Sequence, residues 1–546
     1  MPDDALTLEQ AVGQRLLLAF SGKDRPSTEI LEALREYRPA GITLFRSLNL
    51  DEPSQVLHLT QTLQEAARAA GLPPLLIAAD QEGGQLVAIG GGTTPLPGNL
   101  ALGAAGSPDL SRQAGEVLGR ELAAMGINVN YAPCCDVIAN PENSVVGTRS
   151  FGEDPGMVAA MAAAQVKGFQ AAGVAATAKH FPGHGDTPTD SHHALPIVPH
   201  ALDRLRRVEL PPFVACIDAG VRLVMTGHLA LPAIDGRSDL PATQSAAIMQ
   251  GLLRADLGFA GVIITDAMEM RAIPQSESLG PEAVRAAAAG ADLLLLNADP
   301  SDQRLVHTSL LNALHQEILD ARQVMESARR ILALKRWLAR KSPPPDLGVV
   351  GCAAHQAVAR QIAERSVTLV RDRTGPRTGK GLLPLRLESS QRLAVILPQP
   401  QDLTPADTSS SVALSLAETL RCFHQSVDEL SVPHAPQDAD ISAIRDKVFA
   451  YDLLIVGTLN AYSQPGQASL VRALLQTGVP TIVVALRMPY DLAAFPDAQT
   501  YLCTYSIQEP SLQALAQGLF GQIEFQGRLP VTIPGLHPAG FGQSIG

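Results

Sequence analysis

No apolar run in this chain approaches the ~18 consecutive residues of a membrane-spanning helix, so no membrane span or membrane partner is expected. The amino terminus, MPDDALTLEQ, opens with two aspartates where a secretory signal needs positive charge. An amphipathic pattern follows instead of a continuous apolar stretch, which predicts a cytoplasmic protein. Cysteine is sparse: six residues (134, 135, 216, 352, 422 and 503) with no C-x-x-C pair. The adjacent pair cannot readily bridge itself, so neither a disulfide framework nor a zinc ribbon is predicted. Charge is also scarce, at 18% of residues, and the net value of −12 leaves no basic stripe for phosphates or anionic lipid. Nucleic-acid binding is therefore disfavoured, and a small neutral ligand fits better.

What is present is the usage of an ordered globular enzyme: 46% hydrophobic residues, with 45 glycines and 41 prolines spread along 546 positions. That length favours more than one core. A helical, basic stretch, SARRILALKRWLARK (327 to 341), gives way to SPPPDLG (342 to 348), where prolines stop the helix and stiffen a connector. The expected division is a domain over residues 1–341, a proline-rich linker at 342–350 and a second domain over 351–546.

Upstream of the linker, eight short apolar runs alternate with amphipathic stretches: LLLAF (16 to 20), GITLF (41 to 45), LLIAAD (75 to 80), NVNYAP (128 to 133), ATAKHF (176 to 181), LVMTGH (223 to 228), GVIITDAM (261 to 268) and LLLLN (293 to 297). Eight βα repeats in roughly 300 residues predict an α/β fold, a (β/α)8 barrel. Asp80, Lys179, His180, His228, Asp266 and Asn297 all fall at or just past the C-terminal ends of these runs, the rim where barrels build active sites. Asp and Asn also end strands for turn reasons alone, but six polar residues placed this way on five of the runs outweigh that explanation. Downstream, VTLVRD (367 to 372), RLAVILPQ (392 to 399), DLLIVGTLN (452 to 460), PTIVVALR (480 to 487) and TYLCTY (500 to 505) predict an open α/β sandwich. No Gly-rich phosphate fingerprint follows its strands, so nucleotide binding there is not expected.

The densest chemistry lies in KHFPGHGDTPTDSHH (179 to 193), a long βα loop over the barrel mouth by its poor helix and strand propensity. Within it, Asp190 stands two residues before His192, close enough on a tight loop to accept from one ring nitrogen. The other nitrogen is then free to exchange a proton with substrate, and an imidazole titrating near ~6.5 suits that task. Asp266 ends the apolar strand of ITDAMEM (264 to 270), which fixes its carboxylate. Retaining glycosyl transfer needs a nucleophilic carboxylate under the anomeric carbon and an acid beside the leaving oxygen, and these two positions can supply them. Asp80, Lys179 and His180 offer polar groups suited to sugar hydroxyls. Arg149 follows the fourth strand, where a structural ion pair is an equal possibility.

Residues 1 to about 340 resemble the catalytic barrel of family 3 glycoside hydrolases, in particular their β-N-acetylglucosaminidase branch. The resemblance runs in order and spacing through DQEGG (80 to 84), NYAPCCDV (130 to 137), RSFGEDP (149 to 155), KHFPGHG (179 to 185), DSH (190 to 192) and ITDAMEM (264 to 270). It implies Asp266 as nucleophile, His192 as acid/base oriented by Asp190, and sugar contacts from Asp80, Arg149, Lys179 and His180, without metal or cofactor. The second domain is similar to the α/β sandwich appended in many family 3 enzymes, through VTLVRD, TIVVALRMPYDLAAFP (481 to 496) and GRLPVTIP (527 to 534). In family 3 glucosidases that sandwich donates a glutamate acid/base, a role the Asp–His pair replaces in the N-acetylglucosaminidase branch, so here the domain need not take part in catalysis. One departure stands out. Relatives commonly carry arginines shortly after DQEGG, one touching substrate, whereas this chain has Gln85 and Ala88, so that contact is lost or moved.

The resemblance implies a retaining exo-β-N-acetylglucosaminidase acting on terminal N-acetylglucosamine, with cell-wall fragments recycled in the cytoplasm as substrates. Alternatives within the fold are a phosphorylase, since a histidine acid/base tolerates phosphate, and a β-glucosidase or β-xylosidase. A zinc hydrolase using His180, His184, His192, His193, Asp186 and Asp190 is disfavoured, because Pro182 and Gly183 keep His180 and His184 off a common helical turn.

Overall fold

The computed structural model describes residues 6–187, 189–191, 193–273, 278–373 and 381–544. Eight parallel strands form one sheet: β1 (Leu16–Leu18), β2 (Gly41–Thr43), β3 (Leu76–Ala79), β4 (Val129–Asn130), β5 (Ala175–Phe181), β6 (Leu223–Thr226), β7 (Val262–Thr265) and β8 (Leu294–Leu296). Each pairs with its sequence neighbour, and β1 pairs with β8 through Leu16 and Leu294. Amides of Thr265 and Met268 donate to the carbonyls of Leu293 and Leu295, both at 3.0 Å, closing β7 onto β8 and the sheet into a barrel. All eight expected strands are present. At one strand the close approach is absolute: a Cβ on Gly41 would stand 2.0 Å from the Leu76 carbonyl oxygen.

The barrel is filled rather than hollow. Leu76, Ala78, Val129, Tyr131, Leu223, Met225, Val262 and Ile264 pack in one apolar cluster along the axis, with Ile331 and Leu334 from helix Ala321–Ala339 among them. Alternate residues, such as Ile77 and Ile263, belong to a second cluster shared with the surrounding helices. This period of two decides which strand-end side chains can face the axis.

The second sheet has six strands: β9 (Thr368–Asp372), β10 (Leu393–Pro398), β11 (Val427–Val432), β12 (Leu453–Thr458), β13 (Thr481–Ala485) and β14 (Thr500–Cys503), in spatial order 9-14-13-12-10-11. All neighbours are parallel except β9, which runs antiparallel to β14. Leu453 and Ile455 point to one apolar cluster, Leu454 and Val456 to the other, so both faces are covered. The strand that sequence reading missed is β11. It lies at the sheet edge with only Val427 and Val432 buried, so its VDELSV pattern has no apolar run. Among the described residues, no helix is long and apolar enough to cross a membrane.

Candidate active site

Strand alternation sets the site. Val262 and Ile264 face the barrel axis, so Asp266, the next residue in that series, faces it at the C-terminal mouth. Leu76 and Ala78 carry Asp80 there in the same way, as Val129 carries Tyr131 and Leu223 carries Met225. Ala175 begins the axial series of β5 that reaches Lys179. These residues line a cavity of about 950 Å³ together with Arg149 and His180. The Asp266 amide donates to the Thr226 carbonyl at 3.1 Å, and its carboxylate accepts from the Ala267 amide at 2.8 Å.

Of the other strand-end residues, two serve the scaffold. His228 uses Nδ1 on the Thr243 hydroxyl at 2.8 Å and Nε2 on the Ala267 carbonyl at 3.0 Å, which braces the turn carrying Asp266. Asn297 donates to Asp302 at 2.8 Å and accepts from the Asp299 amide, so it tethers the helix that follows β8. Lys179 and His180 belong to β5, buried at all seven positions, so the loop expected from residue 179 begins only after Phe181.

Beneath the cavity runs a ladder of charges. Lys179 Nζ lies 2.6 Å from Asp80 and 2.7 Å from Glu82, and Arg149 forks onto both Glu82 oxygens at 2.8 and 3.0 Å. Burial alone would raise the Glu82 carboxyl, but Arg149 and Lys179 together hold it at about 2. The carboxylate is therefore ionised, and both cations are fixed in direction rather than free to follow substrate. Arg149 thus serves as a buried ion pair while still lining the cavity, and Glu82, inside DQEGG, is the functional partner that sequence reading left unassigned.

A second unassigned acid, Asp136, organises the histidines. It is fully buried. One oxygen accepts from His180 Nδ1 at 2.7 Å and the other from the His184 amide at 2.7 Å. Burial would raise this carboxyl too, yet His180 and His184 bring it down to about 2. With Nδ1 committed to Asp136, His180 presents Nε2 towards Arg149 at 3.4 Å and the cavity. Cys134, Asp136 and His180 lie close enough to suggest a metal trio. These groups satisfy one another: the Cys134 thiol donates to Asp136 at 3.2 Å, and the same carboxylate oxygen takes His180 Nδ1 at 2.7 Å.

The loop after β5 is held at several of its described residues. A Cβ on Gly185 would fall 1.7 Å from the Val137 carbonyl oxygen, so only glycine lets the chain pass there. Asp186 pairs with His200, and His184 Nε2 meets the Ser191 hydroxyl at 3.1 Å. Asp190 is largely buried and its carbonyl accepts from the amides of His193 and Ala194. Ser191 and His193 line the cavity on either side of position 192. His192 itself lies outside the described residues.

The second domain closes one side of the mouth. Residues 405–408 line the cavity with Asp402, on the segment after β10. Thr408 clamps the hairpin that follows Asp80: its amide and hydroxyl donate to the Gln85 carbonyl at 3.0 Å, and its hydroxyl accepts from the Val87 amide at 3.1 Å. Gln508 adds a bond to the Gly84 carbonyl at 2.9 Å. The segment is held from behind by Arg487, 2.8 Å from the buried Asp407.

The family model described as the glycosyl hydrolase family 3 N-terminal domain matches residues 7–334, and that of the family 3 C-terminal domain matches residues 377–538. The chain belongs to glycosyl hydrolase family 3. Among curated relatives, a beta-hexosaminidase A of Pseudoalteromonas piscicida is 32% identical over 97% of each chain. A beta-N-acetylglucosaminidase/beta-glucosidase of Cellulomonas fimi is 30% identical over 86% of this chain and 85% of its own. Among solved structures, a family 3 beta-N-acetylglucosaminidase from Paenibacillus sp. str. FPU-7 superposes with a TM-score of 0.90 at 38% identity, covering 97% of this chain and 99% of that one. This family 3 chain therefore matches its relatives through both domains.

Proposed function

We propose that this family 3 enzyme is a retaining exo-β-N-acetylglucosaminidase. The observation that carries this reading is the Asp266 carboxylate at the barrel mouth, lining one cavity with Asp80, Lys179, Arg149 and His180, whose charges Glu82 ties together from behind. Relatives named for N-acetylhexosaminide cleavage, similar over nearly the whole chain, support the choice of sugar.

In the proposed reaction Asp266 attacks the anomeric carbon, forming a glycosyl-enzyme ester as the glycosidic bond breaks. His192, oriented by Asp190, gives its proton to the departing oxygen. The same imidazole then takes a proton from water, which attacks the ester and releases sugar of unchanged anomeric configuration. Asp80, Lys179, Arg149 and His180 bind the sugar hydroxyls. Cell-wall fragments ending in N-acetylglucosamine are the proposed substrates. A cytoplasmic setting is supported by six cysteines that are all free, Cys135 and Cys216 included at 3.6 Å.

The test compares aryl β-N-acetylglucosaminide, β-glucoside and β-xyloside in phosphate buffer, with the first product read by NMR. Preference for the first substrate and release of the free β-anomer are expected. An α-anomer would overturn retention, and sugar 1-phosphate would make the enzyme a phosphorylase. A strong glucoside rate would widen the sugar range, as the name of the Cellulomonas fimi relative suggests. Asp266→Ala should lower kcat on the order of 10⁴-fold on every substrate. His192→Ala should suffer most with poor leaving groups, and equal losses on activated and unactivated glycosides would remove it from the acid role.

A further inference from the structure

The end of the barrel away from Asp266 holds a separate cavity of about 350 Å³ whose charged lining is all of one sign. Arg222 and Arg330 reach it, no Asp or Glu does among the described residues, and Ile217, Phe259 and Leu334 supply apolar wall. That balance runs against the net charge of −12 carried by the whole chain. Arg222 stands just before β6 and residues 258–261 just before β7, so the cavity opens at the N-terminal ends of the strands. The two strand starts are drawn together: the Val262 amide donates to the Arg222 carbonyl at 3.0 Å, and a Cβ on Gly261 would stand 2.6 Å from that oxygen. The remaining wall is one face of helix Ala321–Ala339. Arg330, Ala333 and Leu334 line the cavity, and Trp337 continues the same face one turn on.

The two arginines differ in what they hold. Arg330 is committed to Asp292 at 2.9 Å and to Glu326 at 3.5 Å. Arg222 has no such acid. Its Nε is buried and meets no hydrogen-bond partner among the described residues, and burial lowers the guanidinium from its ordinary value with no carboxylate acting against that shift. Its Cζ stands 4.6 Å from the centroid of the Trp337 ring. Lys341 Nζ stands 4.3 Å from the same centroid and donates to the Gln170 carbonyl at 2.9 Å. Two cations thus share one indole, and Arg222 adds to burial in lowering the Lys341 ammonium. A guanidinium over an aromatic face is steadied there, while the N–H groups at its edge remain open to an acceptor.

We propose that this cavity is a binding site for a small oxyanion, a phosphate or a short-chain carboxylate, held in a forked pair on Arg222. Such an anion satisfies two donors at once and offsets the repulsion between Arg222 and Lys341, which a water or a hydroxyl cannot do. The volume lies at the low end of the ~300–1,000 Å³ of small-molecule sites, enough for a small anion. An occupant would tie the starts of β6 and β7 to helix Ala321–Ala339. The site is independent of the sugar reading, since it shares no lining residue with the cavity of Asp266.

Trp337 is the only tryptophan of the sequence, so its emission reports on this place alone. The full-length enzyme is titrated with inorganic phosphate and, separately, with butyrate, sodium chloride being adjusted to hold ionic strength constant. A saturable change in Trp337 emission is expected with at least one of them. Phosphate alone would assign a tetrahedral anion, and butyrate alone a carboxylate that also uses the apolar wall. Arg222→Lys keeps the charge without the fork and should bind about tenfold more weakly, while Arg222→Gln should abolish saturation. Turnover of an aryl glycoside at the opposite end of the barrel should be unchanged in both, which shows that they fold. A second measurement needs no variant. Iodide should quench Trp337 several-fold better than caesium, although the net charge of the chain favours the cation, and the binding anion should remove that advantage at constant ionic strength. A linear response to both anions, iodide quenching that neither anion relieves, or the same saturation in Arg222→Gln would overturn the proposal and leave Arg222 a residue that packs on Trp337.

Discussion

Glu82 shows how much of this site depends on a residue that touches neither Asp266 nor the loop after β5. Two buried cations converge on its carboxylate, so removing the charge strands both of them. Breaking such a buried pair costs about 3–5 kcal/mol, far more than the median surface bridge. Glu82→Gln is therefore expected to destabilise the barrel by roughly 3 kcal/mol in urea unfolding. It should also lower kcat/KM, because Arg149 and Lys179 lose their fixed direction. The pH dependence has a definite sign. The folded-state carboxyl sits at about 2, below the ~4.3 of an unfolded chain, so its stabilisation is complete above that unfolded value. It is lost as pH falls through ~4.3 towards the folded value of about 2, and Asp136, also held at about 2, acts in the same direction. Wild type should lose stability over that window, and Glu82→Gln should lose less. Equal slopes in the two proteins would mean that Glu82 is not ionised in the folded state.

At the scale of elements, the loop after β5 gains its shape from backbone as much as from side chains. Gly185 passes so close to Val137 that even a methyl group has no room. Gly185→Ala should thus displace the segment bearing Asp190 and His192 while the strands persist. A shift near 1 Å at reacting groups costs about 100-fold, so kcat should fall by that order with little change in far-UV circular dichroism. Unchanged kcat would show that this loop does not position the acid. The barrel strands, and the position of Asp266 at the end of one of them, were legible in the sequence because continuous apolar runs, buried on both faces, alternate with amphipathic stretches. The roles of Glu82 and Asp136 were not, although both stand inside quoted motifs. Each acts through partners distant in sequence, Arg149 and Lys179 for Glu82, His180 and His184 for Asp136, and spacing along one strand carries no trace of such pairings. Edge strand β11 escaped for a related reason: with one face of its neighbour to lean on, it needs only Val427 and Val432 buried.

In the whole molecule, the two domains share one continuous apolar cluster, and the second contributes a wall to the cavity of the first. Sequence reasoning required no catalytic contribution from that domain and left open whether it reaches the active site. The structure joins it to the mouth through Thr408 and Gln508, both of which bind the backbone of the hairpin after Asp80. The carboxylate that shapes the wall, Asp407, is itself buried and accepts from the amides of Leu403 and Ser409 as well as from Arg487. Removing the guanidinium leaves a buried charge with two amides alone, a loss of about 3 kcal/mol or more. Arg487→Leu is accordingly expected to loosen residues 402–408 and, through Thr408, the hairpin that carries Val87 and Ala88. Because none of these atoms is a reacting group, the effect should fall on substrate capture: KM should rise several-fold for a disaccharide, the bulkier substrate at the mouth, and less for a small aryl glycoside. If both substrates respond alike, or if kcat falls while KM holds, the second domain is acting on the reacting groups rather than on the rim.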